Sequence, residues 1–263
     1  VAGSVRDVIS EQIEFRELLV RMTVRDLLLR YKQTVMGFGW AVFMPLLNTI
    51  IFSIIFSRVA PIETIVPYPL FAYCGLLAWN MTASALRFSA LSLTSNTNLV
   101  TKVHFPREIF PFSAVLVSVV DSAVAALVLG GMMAYYGIVP GPAAALLPLI
   151  VVVQVAFTAA VALLLAMGNL FYRDVKYLFE VVASVWMFAT SVLYPMDAVG
   201  GRVGALLALN PMTHIIDAYR SVLFAGRLSD PSAFAATAAA SFALLAVCWI
   251  GFHAAEYEFA ENI

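Results

Sequence analysis

The chain has 263 residues, 62% of them hydrophobic and 12% charged, with a formal net charge of -1. A soluble domain carries about 25% charged residues. The shortfall, a mean hydropathy of +0.93 and several apolar runs of about 20 residues exclude an ordinary soluble domain and indicate an integral membrane protein. The near-neutral charge and an isoelectric point near 6.3 exclude a basic nucleic-acid binder. Cys74 and Cys248 lie far apart inside apolar runs and imply no disulfide or metal framework. The charged N-terminal stretch has no apolar core ending in small residues, so no cleavable signal is expected.

The first element is "EFRELLVRMTVRDLLLRYKQT", within an expected helix over 11–33. Phe15, Leu18, Leu19, Met22 and Leu29 share one helical side, and Glu14, Glu17, Arg21 and Arg25 another. This predicts a helix in the membrane interface, apolar side down and basic residues near anionic headgroups. The alternative is an amphipathic helix packed on protein.

Six spans are expected in an all-α integral membrane fold, near Gly39–Ser57, Tyr68–Leu91, Ile109–Tyr136, Ala143–Phe171, Tyr177–Tyr194 and Ala233–His253. Each is expected to be long enough, at about 1.5 Å per residue, to cross roughly 30 Å of hydrocarbon. Lipid leaves backbone groups without partners, so spans of this kind are helices. One set of flanks holds Arg16, Arg21, Arg25, Arg30, Lys32, Lys102, Arg107, Arg173 and Lys176, and the opposite loops hold Arg58, Arg202, Arg220 and Arg227. This asymmetry predicts cytoplasmic termini. No linker or internal repeat divides residues 1–263, so one membrane domain is expected.

Between spans two and three, "TSNTNLVTKVHFPREIFP" predicts a short cytoplasmic helix over 96–105. Ser95 or Asn96 can cap it, and Pro106 ends it by Phe105. It offers Asn98, Leu99, Lys102 and His104 as a surface that either transmits force from a cytoplasmic partner or merely connects two spans. Asp174 is expected to cap the fifth span.

Three charged residues lie inside spans. Arg87 can snorkel to headgroups, and Glu180 sits one turn into span five. Asp121 lies near mid-membrane with no evident partner. It is either a proton relay or a structural hydrogen-bonding group. No HExxH, GxSxG or GxxxxGK[ST] motif occurs. The chain is therefore expected to be no enzyme by itself. His104, His214 and His253 are scattered, so no metal site is expected.

The outer segment, 195–231, contains "LNPMTHIIDAYRSVLFAG". Asn210 is a suitable N-cap, Pro211 a first helical residue and Gly226 a stop, for a helix of about 15 residues, too short to span. Met212, Ile215, Ile216, Tyr219, Val222 and Leu223 form one side. Thr213, His214, Asp217, Arg220 and Ser221 gather towards the other, where Asp217 and Arg220 can pair. With "RVGALLAL" before it, the segment predicts a re-entrant hairpin with its polar side towards a water-filled exit. It is either a lid or a static cap.

The order of "RDLLLRYKQTVMGFGWAVFMPLLN", "LVTKVHFPREIFP", "NLFYRDVKYLFEV" and "LNPMTHIIDAYR" resembles the permease subunit of bacterial ABC-2 type polysaccharide exporters. That family moves lipid-linked O-antigen, capsular polysaccharide or teichoic acid across the inner membrane. The resemblance implies a homodimer around a channel and two separate ATPase subunits that bind ATP and Mg, with no cofactor in this chain. It implies that the 96–105 segment is a coupling helix, that the N-terminal helix, with Arg21 and Arg25, also contacts the ATPase, and that two gate helices lie between spans five and six. It further implies aromatic residues along the glycan path, for which Trp40, Phe43, Tyr68, Trp79, Trp186 and Tyr194 are candidates. Sugar C–H faces stack on aromatic rings, although aromatics at span ends also form the interfacial belt. Membrane lipids and a lipid-linked polysaccharide are thus the expected partners. The alternatives are the same architecture exporting a lipid or drug, and a secondary transporter driven by protons through Asp121.

Overall fold

A computed structural model describes residues 14–32, 34–59, 61–102 and 105–262. Among them the regular structure is all helical: α1 (Arg16–Tyr31), α2 (Gly39–Ile54), α3 (Tyr68–Ser92), α4 (Thr97–Lys102), α5 (Ile109–Tyr135), α6 (Leu147–Phe171), α7 (Val175–Phe188), α8 (Gly201–Leu207), α9 (Pro211–Arg220) and α10 (Pro231–Asn262). A π-helical turn extends α2 over Ile55–Val59, and another follows α9 over Ser221–Ala225.

By length and composition, four helical segments suffice to cross a membrane: Gly39–Arg58, Ile109–Tyr135, Pro142–Phe171 and Pro231–Glu256. Two of the six expected spans differ. Helix α3 has 25 residues but a polar stripe through Asn80, Ser84 and Arg87, because it is the central helix rather than a lipid-facing one. Helix α7 stops at Phe188 after 14 residues, about 21 Å and short of a bilayer core. The apolar run to Tyr194 continues, but the chain turns.

The turn has a cause. Arg220, only 6% exposed, donates from Nη1 to the Ser191 carbonyl at 2.5 Å and from Nη2 to those of Val192 at 2.5 Å and Phe71 at 3.2 Å. Its guanidinium lies 3.5 Å from the Phe71 ring centroid. Tyr68 donates to the next carbonyl, Leu193, at 2.9 Å. Three successive carbonyls that a continuing helix would bond internally are therefore held by side chains from elsewhere. Gly75 makes room: a Cβ there would strike the Arg220 guanidinium and the Val192 carbonyl.

Burial alone gives little discrimination where lipid is as apolar as a neighbouring helix, so small residues and polar contacts fix the packing. Gln154 of α6 donates to the Ala78 carbonyl at 2.7 Å and Thr82 at 3.0 Å, and accepts from Tyr219 at 2.9 Å. One amide thus joins α3, α6 and the outer segment. At its exposed start α10 is capped by Asp230, which accepts from the Ala233 amide at 2.9 Å and the Ser232 hydroxyl at 2.7 Å. The Ala233 bond, then that from Ser232, holds its carboxyl below the usual range.

Helix α1 departs from a helix lying flat on lipid. Phe15, Leu18, Leu19 and Met22 pack against a protein cluster that includes Ile109, Phe110, Leu163 and Phe252. Of the expected apolar side, only Leu29 is open, alongside Val20, Val24 and Leu28. The helix runs beside α5: Asp26 accepts from Ser113 at 2.6 Å, Arg30 pairs with Asp121, and Tyr31 donates to Asp121 at 2.6 Å. Asp121 is roughly 18 Å along α5 at 1.5 Å per residue. The expectation that it lacks a partner is therefore corrected. Its partners precede it by about 90 residues in sequence.

Two stability predictions follow from these contacts. Arg220→Met leaves the Ser191 and Val192 carbonyls without a donor and lowers unfolding free energy by on the order of 3 kcal/mol; Arg220→Lys recovers only part, because an ammonium lacks the planar fork. Thermal unfolding in detergent reads this, and an unchanged midpoint for Arg220→Met contradicts it. Asp121→Asn strands a largely buried Arg30 at a cost of about 3 kcal/mol, whereas the double change Arg30→Met with Asp121→Leu recovers most of the loss in the same assay.

Candidate functional site

A cavity of about 510 Å³ lies among α2, α3, α5 and α7. Trp40 and Trp79 contribute aromatic surface. Asn80, Ser84, Ser122 and Ser184 contribute hydrogen-bonding groups. Arg87 and Glu180 also line it, joined by two hydrogen bonds of 2.5 and 2.9 Å between α3 and α7. Arg87 is thus paired across the cavity wall rather than reaching alone for headgroups. Both partners are about half exposed, at 49% and 47%, so the bridge contributes geometry more than stability. Asp121 meets the cavity from α5, with Arg30 behind it stacked 3.8 Å over the Phe88 ring.

The expected aromatic residues divide. Trp79 stands edge-on to Trp186 with centroids 5.5 Å apart, and Trp186 packs likewise on Phe157 at 6.1 Å. Trp40, 39% exposed, lines the same cavity and contacts the exposed Phe43 edge-on. Tyr68 is buried, its hydroxyl occupied by Leu193, and Tyr194 donates to the Phe188 carbonyl at 2.7 Å. These two hydroxyls hold the turn after α7, and neither residue lines this cavity. The hydroxyl and amide groups on the cavity wall escaped notice in the sequence. Their signal was present in α3, where Asn80, Ser84 and Arg87 recur at spacings of four and three, a single helical stripe.

The helix between Asn210 and Gly226 keeps its expected ends and changes its inner detail. Asn210 caps α9 by accepting from the Met212 amide at 3.1 Å. It also accepts from Trp186 Nε1 at 3.3 Å and donates to the Ala189 carbonyl at 3.0 Å and Thr190 at 2.8 Å. The cap is therefore a hub that fastens the start of α9 to the end of α7. Pro211 opens the helix, and Gly226, at φ 66°, ends the π-helical turn in the left-handed region. The expected polar side does not face an exit as a unit: Thr213, Arg220 and Ser221 are buried, and His214 contacts the Ala208 carbonyl at 2.7 Å. Asp217 is half-buried on the same helix.

On the opposite side of the molecule, a 3-10 turn at Thr94–Asn96 leads into α4. Ser95 and Asn96 donate back to the Leu91 and Ser92 carbonyls. Asn98 is exposed, whereas Leu99 turns inward onto the cluster around Leu93 and Phe110. The Lys102 side chain and His104 lie outside the described residues. Arg25 reaches Asn96 at 3.1 Å while paired with Asp26, joining α1 to this connector; Arg21 is exposed and paired with Glu17. Asp174 occupies the N-cap of α7, but its side chain makes no capping bond there.

Scatter of the histidines along the sequence does not keep His253 from other ligand types. His253 lies with Glu108 and Glu256, one ligand atom of each within 4.8 Å of the others.

The ABC-2 type transporter family profile matches residues 17–224. The O-antigen export system permease protein RfbA of Myxococcus xanthus is 30% identical over 257 residues, spanning 97% of this chain and 98% of that relative. Two Klebsiella pneumoniae proteins of the same name are 30% and 29% identical over 214 residues, each spanning 81% of this chain and 82% of the relative. With its apolar helices and its match over most of its length, this chain belongs to the ABC-2 type transporter family of multi-pass membrane proteins.

Proposed function

We propose that the chain is the permease subunit of an ATP-driven exporter of a lipid-linked, O-antigen-type polysaccharide in the bacterial inner membrane. It acts as one of two copies around a shared path, and two separate ATPase subunits bind and hydrolyse ATP with Mg. Both termini face the cytoplasm, α3 and α7 complete six membrane-embedded segments, and α8 and α9 form the outer gate.

The observation that carries this reading is the cavity. Its wall combines flat aromatic surface with hydroxyl, amide and paired ionic groups. A glycan needs that mixture: C–H faces rest on rings, while hydroxyls exchange hydrogen bonds without one deep binding site. The relatives' names favour an O-antigen-type cargo over a lipid or drug. The Asp121 carboxylate is held by Arg30 and Tyr31, an arrangement suited to structure and not to a proton relay.

On the cytoplasmic side, α1 and the connector form one unit through Arg25 and Asn96. Motion of a docked ATPase would be passed through α4 to α3 and α5, which the connector joins directly.

Two outcomes test the proposal. Trp40→Ala, at a partly exposed ring, lowers surface polysaccharide several-fold in cells while expression and assembly with the ATPase stay normal; unchanged export removes Trp40 from the path. Arg25→Ala loosens α1 from the connector and reduces glycan-stimulated ATP hydrolysis by the reconstituted complex several-fold, with undiminished basal hydrolysis. Wild-type stimulation contradicts the coupling role.

A further inference from the structure

Glu108 begins α5 as its N-cap residue, and His253 and Glu256 lie one turn apart on α10. Glu108 is fully buried, 0% exposed, and its Oε2 has no hydrogen-bond partner. His253 Nδ1 is also buried without one, 3.5 Å from Glu256 Oε2 and 3.9 Å from Glu108 Oε1.

The remaining carboxylate oxygens are held. Trp249 donates to Glu108 Oε1 at 3.1 Å, and the Arg107 amide donates to Glu256 Oε1 at 3.0 Å. The Arg107 guanidinium lies 3.8 Å from that oxygen and donates to the Glu256 carbonyl. Each carboxylate is thus oriented through one oxygen while the other is left available, the usual arrangement of outer groups around metal ligands. Ligand atoms about 2.1 Å from a zinc-sized ion stand roughly 3.4 Å apart in tetrahedral geometry. His253 Nδ1 and Glu256 Oε2, at 3.5 Å, already stand near that value, and one ligand atom of each of the three residues lies within 4.8 Å of the others, so closure on an ion needs Glu108 to move in by about an ångström.

We propose that Glu108, His253 and Glu256 form a binding site for a divalent first-row metal ion of the zinc class. Two carboxylates and one imidazole supply three ligands, and the partly exposed edge of His253, 24% accessible, leaves a side for water as the fourth. Imidazole with carboxylate favours such an ion over magnesium or calcium, which prefer oxygen alone. The ion neutralises the two carboxylates that Arg107 only half compensates. It fastens the C-terminal part of α10 to the residue at which the connector enters α5. The site is distinct from the cavity and does not depend on the cargo.

The test uses the full-length chain in detergent, purified without a histidine tag, stripped by chelator and titrated with Zn2+ alone against a chromophoric competitor. The expected result is one ion per chain, with affinity at least ten-fold lower in His253→Gln and in Glu256→Gln. Glu108→Gln behaves likewise if it folds; if it does not, the two variants on α10 decide. X-ray absorption of the loaded protein then shows nitrogen and oxygen ligands including one imidazole. Failure of the wild type to retain Zn2+ overturns the proposal. Equal affinity in all variants also overturns it, as an adventitious surface ion only.

Discussion

A single buried guanidinium sets the region where α7 ends and α9 packs on α3. Arg220 gathers the carbonyls of Phe71, Ser191 and Val192. In an apolar interior, an unpaired peptide carbonyl and an unpaired guanidinium are each costly. Together they satisfy one another, and the chain is free to stop being helix after Phe188. Without that capture, the apolar run from Val175 would be free to continue towards Tyr194. Trp186 would lose its place between Trp79 and Asn210, and the cavity would lose its α7 wall. Gly75 is the geometric condition, since a side chain there would occupy the guanidinium's position.

The same economy of polar contacts governs the rest of the bundle. Hydrophobic burial holds helices in the membrane without choosing their neighbours, so the choice falls to a few directional pairs. Arg30 with Asp121 fixes α1 on α5, Arg87 with Glu180 spans α3 and α7, and Gln154 links α3 to α6 and the outer segment. Asp121, Arg87 and Glu180 also line the cavity. The groups that specify packing are therefore among those that give the cavity its polar character. A substitution at these positions alters shape and surface together.

What could be read from the sequence was local. Asn210 before Pro211, and Gly226 after a run of about 15 residues, announce a helix and its ends through backbone chemistry that needs no distant partner. The four most apolar helices are equally plain. The partners of Asp121, Arg87 and Arg220 were not legible, because each lies 28 to 149 residues away. Periodicity showed that Phe15, Leu18, Leu19 and Met22 share a side, but an apolar side reads the same whether lipid or protein covers it. The end of α7 was hidden for a related reason: hydropathy records side chains, and the turn is made by carbonyls.

The central claim is that this chain lends a glycan path to an ATPase that it does not itself contain. The most direct measurement is nucleotide hydrolysis in lipid nanodiscs holding the chain with its partner subunit, with and without a lipid-linked O-antigen. The account predicts no hydrolysis by the chain alone and a rise in the complex on adding the glycan lipid, with no comparable rise for a short-chain lipid or a drug. Transport that proceeds on a proton gradient without nucleotide, or hydrolysis indifferent to the glycan, would contradict it.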